Sequence, residues 1–108
     1  MKAGNLDRRI AIERATETQD EFGEPIQTWA TLATVWASKE DIRDTERFMA
    51  QQVGAEVTTR FQIRYSATVA DVNPKDRVVY DGRTYDIAGV KEIGRREGLE
   101  ITAVARAD

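Results

Sequence analysis

The sequence predicts an all-β protein: a small antiparallel β-barrel of six to seven short strands, with one long loop or short helix after the second strand. Three observations point there. Residues 57–65 alternate apolar and polar side chains strictly, and residues 99–106 repeat the pattern apart from Val104, the period of a strand with one buried and one wet face. Asp81-Gly82 separates two further alternating runs, and Asp-Gly is favoured where both central residues of a tight turn need positive φ. The remaining connections are local and hardly any of the chain reads as helix. So many short strands must hide their edges, which favours a closed or nearly closed barrel over a two-sheet sandwich.

Taken in order, the first strand carries Ile10 and Ile12 alternating with Arg9, Ala11 and Glu13. It leads into a polar turn, Glu21-Phe22-Gly23-Glu24. A second strand is expected over residues 33–42. Its apolar run Val35-Trp36-Ala37 places the start in the core, and Lys39, Glu40 and Asp41 place its end in solvent. Residues 43–54 then lose the two-residue period. Their composition favours helix, with Thr45 as an N-cap candidate and Gly54 as a stop, so one or two helical turns and an irregular loop both fit.

The third strand turns Val57, Thr59, Phe61, Ile63 and Tyr65 inward and Glu56, Thr58, Arg60, Gln62 and Arg64 outward. Asn73-Pro74-Lys75-Asp76 reads as a turn, because the residue before proline is pushed away from helix. Val78 and Tyr80 enter the Asp81-Gly82 hairpin, and Tyr85 and Ile87 leave it. A second reversal at Arg95-Arg96-Glu97-Gly98 joins a strand around residues 90–93 to the last one. There Leu99, Ile101, Ala103 and Ala105 face inward, and Val104 on the polar face implies partial cover.

Bulk composition narrows the function classes. With 108 residues, 41% of them hydrophobic and 32% charged, the chain suits a single small globular domain over residues 1–108. It contains neither a secretory signal pattern nor an apolar run of membrane-spanning length. Cysteine is absent, so no disulfide framework or thiolate metal site is available. Histidine is absent too, which removes the usual general base and the commonest transition-metal ligand. Catalysis would have to run on carboxylates, Lys or Tyr, and no catalytic, cofactor or metal residues are assigned. The net charge of −3 argues against a protein held mainly on nucleic-acid backbone.

Among individual residues, Trp36 is expected in the core, where a small domain needs its largest side chains. Trp29, nearer a turn, fits core and interface equally. Glu17, Asp20, Glu21 and Glu24 cluster around Gly23 without the ligand spacing of a calcium loop, and read as a solvated hairpin tip. Arg60 and Arg64 share the wet face of one strand and, with Arg8, Arg9, Arg14, Arg95 and Arg96, supply the residues for a phosphate-binding patch. Against that, Glu13, Glu56 and Glu100 balance them as an ordinary charged surface, and no aromatic residues are interleaved for base stacking. Residues 43–54 stand apart: Phe48 and Met49 lie among Arg43, Asp44, Glu46, Arg47, Gln51 and Gln52, where the barrel core has no evident claim on them.

The ordered set Gly4-x-Leu6-x-x-Arg9-Ile10, Thr28-Trp29, Val35-Trp36-Ala37, Arg64-Tyr65 and Val79-Tyr80-Asp81-Gly82-Arg83-x-Tyr85-x-Ile87 resembles the head-tail joining (head-closure, or stopper) proteins of long-tailed bacteriophages and prophages. The resemblance runs from about Gly4 to Arg106. It implies a structural protein of the virion, made in the host cytoplasm and needing no cofactor. Its partners would be a portal or adaptor protein and tail proteins. It would assemble as a homo-oligomeric ring, be monomeric or weakly associated in isolation, touch no membrane, and surround DNA without sequence specificity. The resemblance also implies that the connection after the second strand (Arg43, Asp44, Glu46, Arg47, Phe48, Met49, Gln51 and Gln52) points into the channel or contacts the neighbouring subunit. Adaptors, tail terminators and gene transfer agent parts are of similar kind. An OB-like nucleic-acid-binding barrel remains the alternative from another class.

Overall fold

The computed structural model describes residues 5–42 and 58–106. Six antiparallel strands, β1 (Arg8–Gln19), β2 (Pro25–Asp41), β3 (Thr58–Arg64), β4 (Arg77–Tyr80), β5 (Arg83–Ile93) and β6 (Gly98–Ala105), close on themselves in the order β1-β2-β3-β6-β5-β4. The seam is short: β1 meets β4 only through Ala11↔Val79, Ile12↔Val78 and Glu13↔Arg77. Closure gives every strand a hydrogen-bonded neighbour on each side, which is how so short a sheet protects its edges.

The two-residue alternation fills the barrel. Ile10 and Ile12 from β1, Phe61 and Ile63 from β3, Val78 from β4, Tyr85 and Ile87 from β5, and Leu99, Ile101, Ala103 and Ala105 from β6 are all buried. Phe61 sits at the centre, edge-on to Tyr85 at 5.2 Å and to Tyr80 at 6.3 Å between ring centroids. Each of these large side chains contributes about 1.5–3 kcal/mol through burial. The connection from β3 to β4 brings in Val69 and Val72, also buried. Its backbone turns through bonds from Val69 N–H to Ser66 O and from Val72 N–H to Val69 O, so it covers the barrel mouth without leaving the core exposed.

Both expected reversals form. Asp81 (φ 51°) and Gly82 (φ 75°) occupy the two positive-φ positions of the β4–β5 hairpin, with Tyr80 paired to Arg83. Gly94 (φ 60°) and Arg96 (φ 56°) turn β5 into β6. At Asn73–Asp76 the Asn73 carboxamide oxygen accepts from Lys75 N–H, and Asp76 N–H bonds to Asn73 O. Val104 is half-buried, as its place on the polar face implied.

Three expectations need correction. First, β2 begins at Pro25, not at residue 33, and β1 runs on to Gln19. Beyond Glu13 these two strands pair only with each other, forming a two-stranded arm that leaves the barrel. Both faces of its outer part meet water, so no apolar alternation marks it. Second, the strand around residues 90–93 is the far half of β5, joined across a bulge between Ile87 and Gly89. Third, Trp36 is 52% exposed. It pairs with Arg9, and residues directly opposite in an antiparallel pair share a face, so both point outward while Ala37 and Ile10 point in. Residues 43–54, and Val57 of the third-strand pattern, lie outside the described residues.

Candidate interaction surfaces

The arm is the first surface. Between Arg14 and Lys39 the chain has no basic residue, but it carries Glu17, Asp20, Glu21 and Glu24. The tip is well built. Asp20 Oδ1 accepts from the N–H groups of Phe22 and Glu24, both at 2.9 Å, and Asp20 N–H closes the loop on Glu24 O. Gly23 (φ 82°) provides the left-handed residue. The Asp20 carboxylate is thereby a backbone cap, and the acidic cluster is the hairpin tip its spacing indicated. Phe22 stands 83% exposed at the end, with Ile26 exposed just behind it.

The second surface is a groove of about 610 Å³ on the wall where β3 leaves β2, lined by Leu6, Arg9, Val35, Trp36, Arg64 and Tyr65. The Arg9 guanidinium lies over the Trp36 ring at 5.1 Å, a cation–π contact between the two outward side chains. Neither Arg9 nor Arg64 has a carboxylate partner among the described residues. The groove therefore offers an apolar floor and two available positive charges.

The third feature closes the barrel end where the arm begins. Arg14 continues the inward face of β1 past Ile12 and meets Asp76, whose side chain is almost fully buried. Nε and Nη2 each donate to a different Asp76 oxygen at 3.0 Å, and Nη1 reaches Asp71 at 3.0 Å. Asp76 also accepts from Asn73 N–H. The bidentate fork raises the Arg14 pKa further, and Arg14 holds the Asp71 carboxyl below its ordinary value. On the outer face of the same strand, Glu13 pairs with Arg77 at 2.7 Å, and the Arg77 guanidinium stacks on Trp29 at 4.1 Å.

Trp29 is thus a half-buried platform under Arg77 on the outer wall. Arg60 lies between Glu40 (3.6 Å) and Glu100 (3.4 Å), the charged strand surface that balanced composition suggested. Arg64 separates from it and joins the groove. Arg8 bonds to the Tyr80 hydroxyl, Arg14 is committed to Asp71 and Asp76, and Arg106 pairs with Asp86. The arginines are distributed over separate sites instead of forming one phosphate-binding patch. At Asp41, burial pushes the carboxyl pKa up, but bonds from Lys39 and Thr59 outweigh it and leave the group lowered. Phe22 and the Trp36 groove were missed as sites, although the base-free stretch from residue 15 to residue 38 was visible in the sequence.

A closed barrel with a protruding acidic arm, a capped aromatic tip and a cationic apolar groove is built for contact with other macromolecules. The chain belongs to the phage head completion protein family, whose profile matches residues 1–106. It is a structural component of the virion, a head–tail connector part, as the resemblance implied. Among solved structures it is similar to a protein of Shigella flexneri 2a determined in solution, with 28% identity and a TM-score of 0.77 over 100% of this chain and 99% of that one. It also shares its fold with a chain of the native gene transfer agent virion, at 21% identity and a TM-score of 0.69 over 92% and 93% of the two chains. No curated protein matches it significantly.

Proposed function

We propose that this protein acts as one domain over residues 1–108, forming a homo-oligomeric ring between the portal or adaptor and the tail, with DNA passing through the ring without sequence-specific contacts. Its work is mechanical and interfacial, with no catalytic step. The observation that carries this reading is the arm: a two-stranded extension that leaves a closed barrel, gains no core of its own and ends in an exposed aromatic. Such a projection has a use only where another molecule receives it. Mixed-sign charge over the rest of the surface suits identical subunits meeting side by side.

Arg43, Asp44, Glu46, Arg47, Phe48, Met49, Gln51 and Gln52 are assigned to the channel or the neighbouring subunit, on the strength of the family and of their composition. Trp29 and Arg64 remain interface residues in this reading, whereas Arg60 is engaged by its two glutamates. Those same pairs weigh against an OB-like nucleic-acid barrel, because a binding strand would offer its cations to phosphate.

Removing Glu46 to Gln52 is the test of the channel assignment. The expected result is an unchanged melting temperature together with particles that leak DNA or fail to take tails. Loss of folding, or normal particles, would overturn it. Electron microscopy of connectors isolated from particles tests the ring itself, and a single copy per connector would refute it.

A further inference from the structure

The large hydrophobic side chains exposed among the described residues are Phe22, Ile26 and Trp36. They fall into two sets. Phe22 and Ile26 mark the arm tip, which is purely acidic. Trp36 marks the groove, whose rim carries Arg9 and Arg64 without carboxylate partners among the described residues. One site is a capped aromatic knob with negative charge, and the other is an apolar recess with positive charge. The two are complementary in shape class and in sign.

They cannot meet within one molecule. Both lie on the β1–β2 ribbon, and the strand from Trp36 to Pro25 is continuous. At 3.3 Å per residue that is about 36 Å of extended chain. We infer that the arm tip of one copy docks in the groove of the next copy, seating Phe22 against Trp36 with Glu21 and Glu24 facing Arg9 and Arg64. This rests on the ring reading and specifies the contact that builds the ring.

The contact is heterologous: knob and recess are different patches, so each copy both gives and receives, and repetition generates a ring or an open helix. It is also small, an aromatic and a few charges, so it is weak between free subunits. Subunits held side by side on a preassembled portal or adaptor would form it at high effective concentration. Charge complementarity steers the approach and rejects the tip–tip and groove–groove alternatives, where like charges would face each other.

The test uses the full chain with Phe22 replaced by the photo-crosslinking amino acid benzoyl-phenylalanine, which keeps an aromatic at the tip. The protein is irradiated in assembled connectors and free at high concentration, and adducts are mapped by mass spectrometry. Adducts between copies at residues 34–36 or 64–66 are expected. A paired charge swap then checks the recognition. Arg9→Glu with Arg64→Glu should lower the adduct yield more than about tenfold, and adding Glu21→Arg with Glu24→Arg should restore it. Adducts to another part of the neighbouring copy, to a different connector protein, or none at all would overturn the docking. A ring seen by microscopy without tip–groove adducts refutes the docking alone, whereas connectors with a single copy refute the ring reading beneath it.

Discussion

Arg14 is the residue on which the arm end of the barrel closes. Its fork neutralises the buried Asp76 carboxylate and ties β1 to the turn before β4, bridging the three-pair seam. Arg14→Met should leave that carboxylate without its cation and cost about 2–3 kcal/mol, measured by urea unfolding. The same cluster sets an acid limit. Arg14 lowers the folded-state pKa of Asp71 below the unfolded value, near 3.9. Its stabilising contribution is therefore complete above about pH 4 and is lost as pH falls through the folded value. Asp71→Asn should lower stability at neutral pH, leave the acid end little changed and so flatten the stability–pH curve below pH 4, read by thermal melts across pH. At this scale the sequence identified Ile10, Ile12, Phe61, Ile63 and Ile101 correctly as core. Trp36 departs from its expected place in the core because phase outweighs size: in Val35-Trp36-Ala37 alternation puts Ala37 in and Trp36 out, and opposite Arg9 the indole has a partner on the outer wall.

At the scale of elements, the β4–β5 hairpin and the β1–β2 arm behave differently because only one of them is braced by neighbours. β4 and β5 are each paired on both sides, so their turn is held in register by the barrel. Gly82→Val places a β-branched residue at φ 75° and should destabilise by about 1–2 kcal/mol, lowering the melting temperature. The outer arm has pairing on one side only. Replacing residues 18–26 by Asn-Gly, which joins the paired Glu17 and Gln27 directly, should change stability by less than about 1 kcal/mol and abolish the inter-copy contact. Circular dichroism melts beside crosslinking yield separate those two effects. The hairpin was legible in the sequence because turn chemistry and alternation agree there. The arm was not, since a strand with two wet faces has no apolar period and looks like polar loop.

For the whole molecule, the net charge of −3 and the concentration of acid on one projecting arm favour separation of free subunits. The isolated chain should be monomeric or weakly associated at micromolar concentration, as followed by light scattering. Because the proposed contact pairs opposite charges, what association there is should fall as salt rises. A stable ring of the free protein, or association that strengthens with salt, would contradict this picture. Delayed assembly has a mechanical rationale: rings formed early would compete with the head for subunits.

What the amino-acid order alone determined was the class of fold, the inward set of the barrel and its tight turns, because these depend on local alternation and on φ preferences carried by single residues. The ordered motifs also carried the family. Only the tertiary structure decided how long β1 and β2 run, that β5 is one bulged strand, which way Trp36 points, and which arginines are already paired. Each of these depends on a partner distant in the chain: register places Arg9 opposite Trp36, closure brings Asp76 to Arg14, and Glu100 reaches Arg60 only when β3 and β6 lie side by side. Long-range pairing is a property of the closed barrel, and no window of sequence contains both members of such a pair.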